Sequence, residues 1–143
     1  MAQAEISRTI NAPKDVVYKV ITDYEKYPEF VSSCQEAKVL SSEPGKKRVA
    51  YRVELMKDVR YTVDQREDAA KGVVEWSLVE SNIFKQNAGR WELREVDATH
   101  TEATYTLEVE FKIPVPGFVL KKLVQGSLPA MVKDFVERAE SLG

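Results

Sequence analysis

Residues 101–120 read TEATYTLEVEFKIPVPGFVL, and the hydrophobic pattern of the chain changes within this stretch. Over 101–113 the odd-numbered residues are mostly apolar and the others mostly Glu and Thr, a period of two that predicts a β-strand with one buried face. Pro-Val-Pro-Gly at 114–117 ends the strand, since proline fits neither a sheet ladder nor a helix interior. From 118 to 142 the apolar residues recur at helical spacing, which predicts a long C-terminal helix.

The apolar faces of these two elements are predicted to pack on one another. The strand contributes Thr101, Ala103, Tyr105, Leu107, Val109, Phe111 and Ile113. The helix contributes Leu120, Leu123, Val124, Leu128, Met131, Phe135 and Leu142. Gly126 and Pro129 lie in the middle of the helix, where we expect them to bend or break it.

The same alternation upstream predicts further strands. They cover residues 3–10, 48–55, 58–64, 73–80 and 84–96. Glu43-Pro44-Gly45 predicts a turn, with another strand before it. A three-residue turn at Asp97-Ala98-Thr99 would place Trp91 opposite Tyr105.

The hairpin formed by residues 48–55 and 58–64 has a predictable register. The apolar residues of both strands are odd-numbered, from Val49 to Leu55 and from Val59 to Val63. Because directly opposite residues share a face, the loop must hold an odd number of residues. The loop Met56-Lys57-Asp58 satisfies this condition and would place Glu54 opposite Arg60.

Two short helices are predicted between the first and second strands. Pro13 suits a first helical turn, and the apolar spacing predicts a helix over Pro13–Ile21. Thr22-Asp23-Tyr24-Glu25 resembles a capping box, which predicts a second helix. We expect Pro28 to end that helix early, because it disfavours helical geometry at Tyr27.

The resulting order is β-α-α-β6-α, an α+β arrangement that we expect to form one domain over residues 1–143. Each strand has one apolar and one polar face, so one face of the antiparallel sheet needs a cover. The long C-terminal helix is large enough to supply it. A strongly curved sheet wrapped around that helix is therefore predicted.

This order resembles the helix-grip fold of the START-like (SRPBCC), polyketide cyclase/dehydrase and lipid-transport superfamily. Within it, the chain is similar to the branch of coenzyme Q-binding proteins and ribosome-association toxins. The residues that carry the resemblance are Ala12-Pro13, Asp23, Tyr27-Pro28, Phe30, Phe84, Gly89-Arg90-Trp91, Phe111, Met131-Val132, Phe135, Arg138-Ala139 and Leu142-Gly143. The resemblance implies a cavity between the sheet and the helix.

The composition excludes several classes of protein. The formal net charge of −2 argues against a nucleic-acid partner, which usually requires a basic face. A single cysteine fits a reducing compartment, and no apolar run approaches the length of a membrane span. The first ten residues lack the pattern of a signal peptide, so we expect a cytoplasmic protein.

The sequence contains few candidate catalytic residues, and we predict no catalytic residue, metal site or cofactor. His100 and Cys34 are the only residues of their types. His100 is expected in an exposed turn, and Cys34 is expected to be a small buried apolar group. The glutamates of the 101–113 strand fall on its outer face. The chain is therefore better suited to binding than to catalysis.

The inner face is rich in aromatic side chains, which is typical of an apolar ligand pocket. The predicted ligand-binding residues are Tyr27, Phe30, Tyr51, Val53, Tyr61, Val63, Trp76, Trp91, Tyr105, Leu107, Leu128, Met131 and Phe135. Tyr27 and Phe30 are expected to lean over the open end of the grip. The alternative is that these side chains fill the core completely.

Three functions stay open at this point. The first is binding or transport of a hydrophobic small molecule, either a lipid or an isoprenoid-quinone-like compound. The second is a polyketide cyclase or dehydratase activity, and the third is a ribosome- or protein-interaction module of the toxin type. The sequence assigns no oligomeric state.

The corner between the last strand and the last helix, Pro114–Leu123, has two interpretations. Its apolar residues beside Lys121 and Lys122 could form a portal that transiently contacts a membrane or a donor protein. It could instead be a proline-stiffened corner with a buried Phe118, and the sequence favours this second interpretation.

Overall fold

A computed structural model describes residues 2–54 and 58–142 of the chain. The strands are β1 (Ala2–Ile10), β2 (Cys34–Glu43), β3 (Lys46–Glu54), β4 (Asp58–Asp68), β5 (Val73–Ser81), β6 (Phe84–Asp97) and β7 (His100–Phe111). The helices are α1 (Lys14–Thr22), α2 (Tyr27–Phe30), α3 (Gly117–Lys122) and α4 (Leu128–Leu142). A 3-10 turn over Tyr24–Lys26 precedes α2. The predicted α+β order is confirmed.

The strands form one antiparallel sheet in the order β1-β7-β6-β5-β4-β3-β2. Its apolar face is covered by α4, whose Val132, Phe135 and Ala139 are buried. The alternation along β7 is regular, with Ala103 and Tyr105 among its inward residues and polar residues between them. Burial of this apolar surface between sheet and helix is the main source of stability for such an arrangement.

The register of the β3–β4 hairpin differs from the prediction. Arg52 lies opposite Arg60 and Glu54 lies opposite Asp58, so the predicted Glu54–Arg60 pair is wrong. The reason is that Asp58 belongs to β4. Its carboxylate binds Arg52 Nε at 2.9 Å and Arg60 Nε at 3.1 Å, which compensates for placing two arginines opposite each other. Leu55, Met56 and Lys57, predicted as a strand end and a loop, lie outside the described residues.

The β6–β7 hairpin has the predicted register and an unpredicted turn. Trp91 lies opposite Tyr105 as expected. Asp97 pairs with His100, however, so the loop has two residues and not three. A bulge between Glu95 and Asp97 supplies the extra residue that restores the predicted alignment.

The segment before β2 is built differently from the prediction. Thr22 is the last residue of α1, and the Glu25 carboxylate accepts a hydrogen bond from Val39 N at 3.1 Å, so the two do not form a capping box. Pro28 lies in the first turn of α2 and does not end a helix. Tyr27 is helical, with φ −53° and ψ −41°. Proline lacks a backbone N–H, and it is tolerated in a first helical turn because an N–H there would have no partner within the helix.

The predicted break in the C-terminal helix is confirmed as a π-helical turn. Leu123–Ser127, the π segment, separates α3 from α4. Leu128 N donates to Leu123 O, five residues back. Pro129 follows at once, and its missing N–H is consistent with the irregular ladder. Leu142, which was predicted on the apolar face of the helix, is exposed. The last buried residue of α4 is Ala139.

Candidate functional site

A cavity of about 110 Å³ lies between the apolar face of the sheet and α4. All of the predicted ligand-binding residues except Phe30 border it: Tyr27, Tyr51, Val53, Tyr61, Val63, Trp76, Trp91, Tyr105, Leu107, Leu128, Met131 and Phe135. The interior is therefore not completely filled by the aromatic side chains. We call this space the inner cavity.

Phe30 lies outside the inner cavity, contrary to the prediction. Its ring packs edge-on against Phe135, with centroids 5.1 Å apart. The Arg138 guanidinium lies over the Phe30 ring, 5.1 Å from its centroid. It borders a surface groove between α1 and α4. Because α2 turns its C-terminal residue toward α4, Phe30 supports the wall of the cavity from behind.

Aromatic rings form one continuous group around the inner cavity. Tyr51 stacks on Tyr27 at 5.9 Å and lies 5.3 Å from Tyr61. On the other side, Trp91 lies 5.0 Å from Tyr105 and 5.2 Å from Phe135. Tyr27 packs edge-on against Phe135 at 5.0 Å and joins the two sides. The rings therefore make an apolar wall, because aromatic pairs in offset or edge-on geometry stabilise one another.

Tyr27 closes part of this wall with its ring. Its hydroxyl donates a hydrogen bond to the backbone carbonyl of Ile21. The ring therefore contributes an apolar surface to the cavity, while its polar tip is satisfied by the end of α1.

Gly89 makes room for one of the cavity tryptophans. It pairs with Trp76 across β5 and β6. A Cβ at this position would lie 2.8 Å from Trp76 Cε2 and would also clash with the Thr106 carbonyl oxygen. The absence of a side chain therefore lets the indole lie flat against β6.

Two buried amides border the inner cavity, and the prediction missed both. Gln65 Nε2 donates to Tyr51 Oη at 3.1 Å, and Trp76 Nε1 donates to Asn87 Oδ1 at 3.0 Å. Gln65 and Asn87 are each 5% exposed. The alternating pattern could have identified both, because each lies two residues from an inward position of its strand. Gln65 follows Val63 in β4, and Asn87 precedes Gly89 in β6.

The ionisable groups of the wall are neutral at physiological pH. Burial raises the pKa values of Tyr51, Tyr61 and Tyr105 above the ordinary range of tyrosine. Burial also raises the pKa of the Cys34 thiol to about 11. Among the residues that the structure describes, the wall contains no Asp, Glu, His, Lys or Arg.

Cys34 and His100 have separate local partners. The Cys34 thiol donates to Glu36 O at 3.5 Å. His100 lies in the β6–β7 turn, where its Nδ1 is 2.8 Å from Asp97 Oδ1 and 2.9 Å from Thr99 Oγ1. A nucleophile and its base must lie within hydrogen-bond reach, and these contacts give no such pairing.

A second, outer pocket of about 500 Å³ adjoins the inner cavity. Five residues border both spaces: Ser33, Phe84, Leu123, Ser127 and Met131. The corner that follows β7 forms much of its remaining wall, including Pro114, Val115, Pro116 and Val119. Two of the shared residues belong to the π segment, so this irregular turn lies on the boundary between the two spaces.

The corner exposes apolar side chains, contrary to the favoured interpretation. Phe118 is 72% exposed and Ile113 is 54% exposed. Ile113 lies beyond the end of β7 at Phe111 and so leaves the inward alternation. In α3, Val119 faces the outer pocket, and its neighbour Phe118 points to solvent because adjacent helical residues diverge by about 100°.

Neither a membrane span nor a metal cluster is found in residues 2–54 and 58–142. No helix in those ranges combines the length and the apolar character needed to cross a bilayer. No three His, Cys, Asp or Glu side chains there are grouped to hold a metal ion.

Comparison with known proteins identifies similar chains. A family model described as "Polyketide cyclase / dehydrase and lipid transport" matches residues 10–136. Ribosome association toxin RatA of Escherichia coli strain K12 is 22% identical over 140 residues, covering 96% of this chain and 88% of the toxin. The predicted similarity to the toxins is thus confirmed, and the similarity to coenzyme Q-binding proteins stays a prediction.

Two solved structures have the same fold. A START superfamily protein from Mycobacterium smegmatis superposes with a TM-score of 0.89 over 100% of both chains, at 20% identity. Zhui aromatase/cyclase from Streptomyces sp. R1128 gives a TM-score of 0.87 over 96% of this chain and 93% of its own, at 20% identity. The predicted helix-grip fold is confirmed.

Proposed function

The chain belongs to the polyketide cyclase/dehydrase and lipid transport family, and on this premise we propose that it binds a hydrophobic small molecule between the sheet and α4. The observation that carries the proposal is the aromatic inner cavity that shares five bordering residues with the outer pocket. Burying apolar ligand surface against such a wall is favourable at about 25 cal/mol per Å².

The sizes of the two spaces favour a ligand that occupies both. Ligand pockets usually measure roughly 300–1,000 Å³, and the inner cavity is smaller, at about 110 Å³. An apolar cavity of roughly 150 Å³ is known to hold benzene, so one ring or a chain end is the scale that fits inside. The remainder of the molecule would lie in the outer pocket of about 500 Å³. A lipid or an isoprenoid-like chain has this elongated shape.

The exposed corner supports ligand exchange at an anionic membrane. Phe118 and Ile113 are the exposed apolar groups, and Lys121 and Lys122 lie beside them. An aromatic side chain can enter the interfacial region of a bilayer, and each nearby lysine adds about 1 kcal/mol of attraction to anionic lipid. The outer pocket would then open toward the bilayer from which the ligand comes.

The chemistry of the wall favours binding over a cyclase or dehydratase activity. General acid–base catalysis requires a group that exchanges protons near neutral pH. The described wall has no carboxylate, imidazole or amine, and its tyrosines and Cys34 stay protonated. A cyclase that relied on this cavity would have only neutral hydrogen-bonding groups to position its substrate.

The similarity to RatA favours ribosome association as a second candidate function. The exposed Phe118 corner could serve as a contact surface for a protein partner as well. Co-sedimentation with ribosomal subunits tests this candidate. Association that persists when the inner cavity is blocked would support an interaction module and would argue against a ligand-dependent role.

Blocking the passage between the two spaces tests the main proposal. In Ser127→Phe, the ring would occupy the boundary, and we expect binding of the apolar dye Nile red to fall at least tenfold. Ser141→Phe adds the same ring at an exposed position of α4 and should bind the dye like the wild type. Absence of dye binding by the wild-type protein, or equal binding by all three proteins, would contradict the proposal.

A further inference from the structure

Gln65 has a hydrogen-bonding group that the protein does not satisfy. The residue lies on β4 opposite Trp76, is 5% exposed and borders the inner cavity. Its Nε2 donates to Tyr51 Oη at 3.1 Å. Its Oε1 is buried and has no hydrogen-bond partner in the part of the chain that the structure describes. Buried amide oxygens are nearly always paired, so this acceptor calls for an explanation.

We propose that Gln65 recognises a hydroxyl group on the apolar ligand, an inference that rests on the function proposed above. An alcohol or phenol O–H can donate to Oε1, which a carbonyl, an ether or a hydrocarbon cannot do. A hydroxyl also accepts hydrogen bonds, so it fits the Gln65 amide in either of its two orientations.

Charged ligand groups do not fit this position. An ammonium could donate to Oε1, but the described wall offers no carboxylate to compensate its charge. A ligand carboxylate would find no Lys or Arg in the described wall. Burying an uncompensated charge costs far more than one hydrogen bond returns, so the group that fits is neutral.

The surroundings of Gln65 favour a hydroxyl carried on a ring. Tyr51 and Trp76 flank the amide. The Trp76 ring in turn packs against the Tyr105 ring, with their centroids 5.6 Å apart. Flat apolar groups pack well against such aromatic faces. The ligand class that results is a neutral phenol or ring alcohol with an apolar tail. A quinone in its oxidised form lacks the hydroxyl and cannot donate to Oε1, so the amide orientation that the structure shows disfavours it.

Three matched probes test this inference on the intact protein. 4-Butylphenol carries the hydroxyl, 4-butylanisole replaces it with a methyl ether, and butylbenzene lacks the oxygen. We expect isothermal titration to show that the wild type binds the phenol about tenfold more tightly than either analogue, since one buried hydrogen bond has roughly that effect.

Two variants separate the amide from the general apolar pocket. Gln65→Leu should bind the three probes within about threefold of one another. Gln86→Leu makes the same replacement at a half-buried position outside the cavity and should keep the preference for the phenol. The side-chain amide NMR signals of Gln65 should shift more with 4-butylphenol than with butylbenzene, because both rings perturb nearby nuclei and only the phenol donates to Oε1.

The outcomes distinguish this inference from the proposed function. Equal binding of the three probes by the wild type would overturn the hydroxyl site and leave the apolar pocket standing; a trapped water on Oε1 would give this result. A preference that survives in Gln65→Leu would also overturn it. Failure of the wild type to bind any probe would overturn both.

Discussion

Gly89 and Trp76 lie directly opposite each other on β6 and β5, and the indole occupies the space that a side chain at Gly89 would need. This relationship fixes one wall of the inner cavity, because the same indole ring is held by a 3.0 Å hydrogen bond to Asn87 Oδ1. The shape of the cavity therefore depends on a residue that contributes no side chain to it.

Gly89→Ala should destabilise the protein and move Trp76. The added methyl would clash with the indole and with the Thr106 carbonyl oxygen, and overpacking of this kind costs about 1–3 kcal/mol. Urea denaturation should show the loss, and the tryptophan emission should change with it. Gly117→Ala is the matched control, since nothing lies within 4 Å of a Cβ there, and its stability should differ by less than about 0.5 kcal/mol. Equal effects of the two changes would contradict the account.

The Gln65–Tyr51 pair should behave non-additively. Gln65→Leu removes the unpaired oxygen but leaves Tyr51 Oη without its partner, and Tyr51→Phe leaves the Gln65 amide wholly unpaired. Each single change is expected to destabilise by about 1 kcal/mol, because it leaves a buried polar group unsatisfied. The double variant removes both groups and should be at least as stable as the single variants. A double-mutant cycle from denaturation data checks this.

Strictly additive losses in that cycle would contradict the prediction. They would mean that the 3.1 Å contact contributes nothing and that the two groups are satisfied independently. The hydroxyl site proposed at Gln65 would then lose part of its physical basis.

Cys34 should react slowly as long as the protein is folded. Burial raises the pKa of its thiol to about 11, so at pH 8 only about one molecule in a thousand carries the reactive thiolate. Alkylation by iodoacetamide should accelerate as the pH rises toward 11, because the fraction of thiolate increases. In urea the reaction should be fast already at pH 8. Rapid labelling of the folded protein at pH 7 would show a thiolate that this environment does not allow.

Phe118 should anchor the protein to anionic membranes. Replacing an exposed phenylalanine with serine removes a group whose burial is worth about 1.5–3 kcal/mol, so Phe118→Ser should bind phosphatidylserine vesicles less well by about tenfold or more. Leu142→Ser changes an exposed apolar residue at the far end of α4 and should bind like the wild type. Binding should also weaken as salt rises, because Lys121 and Lys122 contribute by electrostatic attraction.

Equal vesicle binding by these two variants would exclude the corner as the contact surface. In that case the exposed Phe118 would remain available for a protein partner, which the ribosome co-sedimentation experiment addresses directly.

The parity of apolar positions was sufficient to predict several features of the fold. It predicted the inward-facing residues, nearly all of which border one cavity. Trp91 lies opposite Tyr105 as expected only because a bulge offsets the shorter β6–β7 turn. Parity could not give the β3–β4 register, because shifting paired residue numbers by two keeps the same faces together. The observed register is stabilised by Asp58, whose carboxylate accepts hydrogen bonds from both Arg52 and Arg60.

The remaining differences arise where tertiary packing overrides a local pattern. Phe118 is apolar and follows the Pro116-Gly117 corner, yet the outward direction of its position in α3 exposes it. Phe30 turns toward α4 and Arg138 instead of the cavity. Gln65 continues the inward set of β4, but it is a polar side chain at an otherwise apolar position, so the apolar pattern does not predict it.

Native mass spectrometry of the protein purified from its own host is the decisive test of ligand binding. We expect a bound neutral molecule that is lost on denaturation, extracts into organic solvent and contains a hydroxylated ring with an apolar tail. Ser127→Phe should be recovered without it, and Ser141→Phe should retain it. Recovery of the wild-type protein with no bound molecule, together with no binding of Nile red or 4-butylphenol, would contradict the claim that this fold holds a hydrophobic ligand.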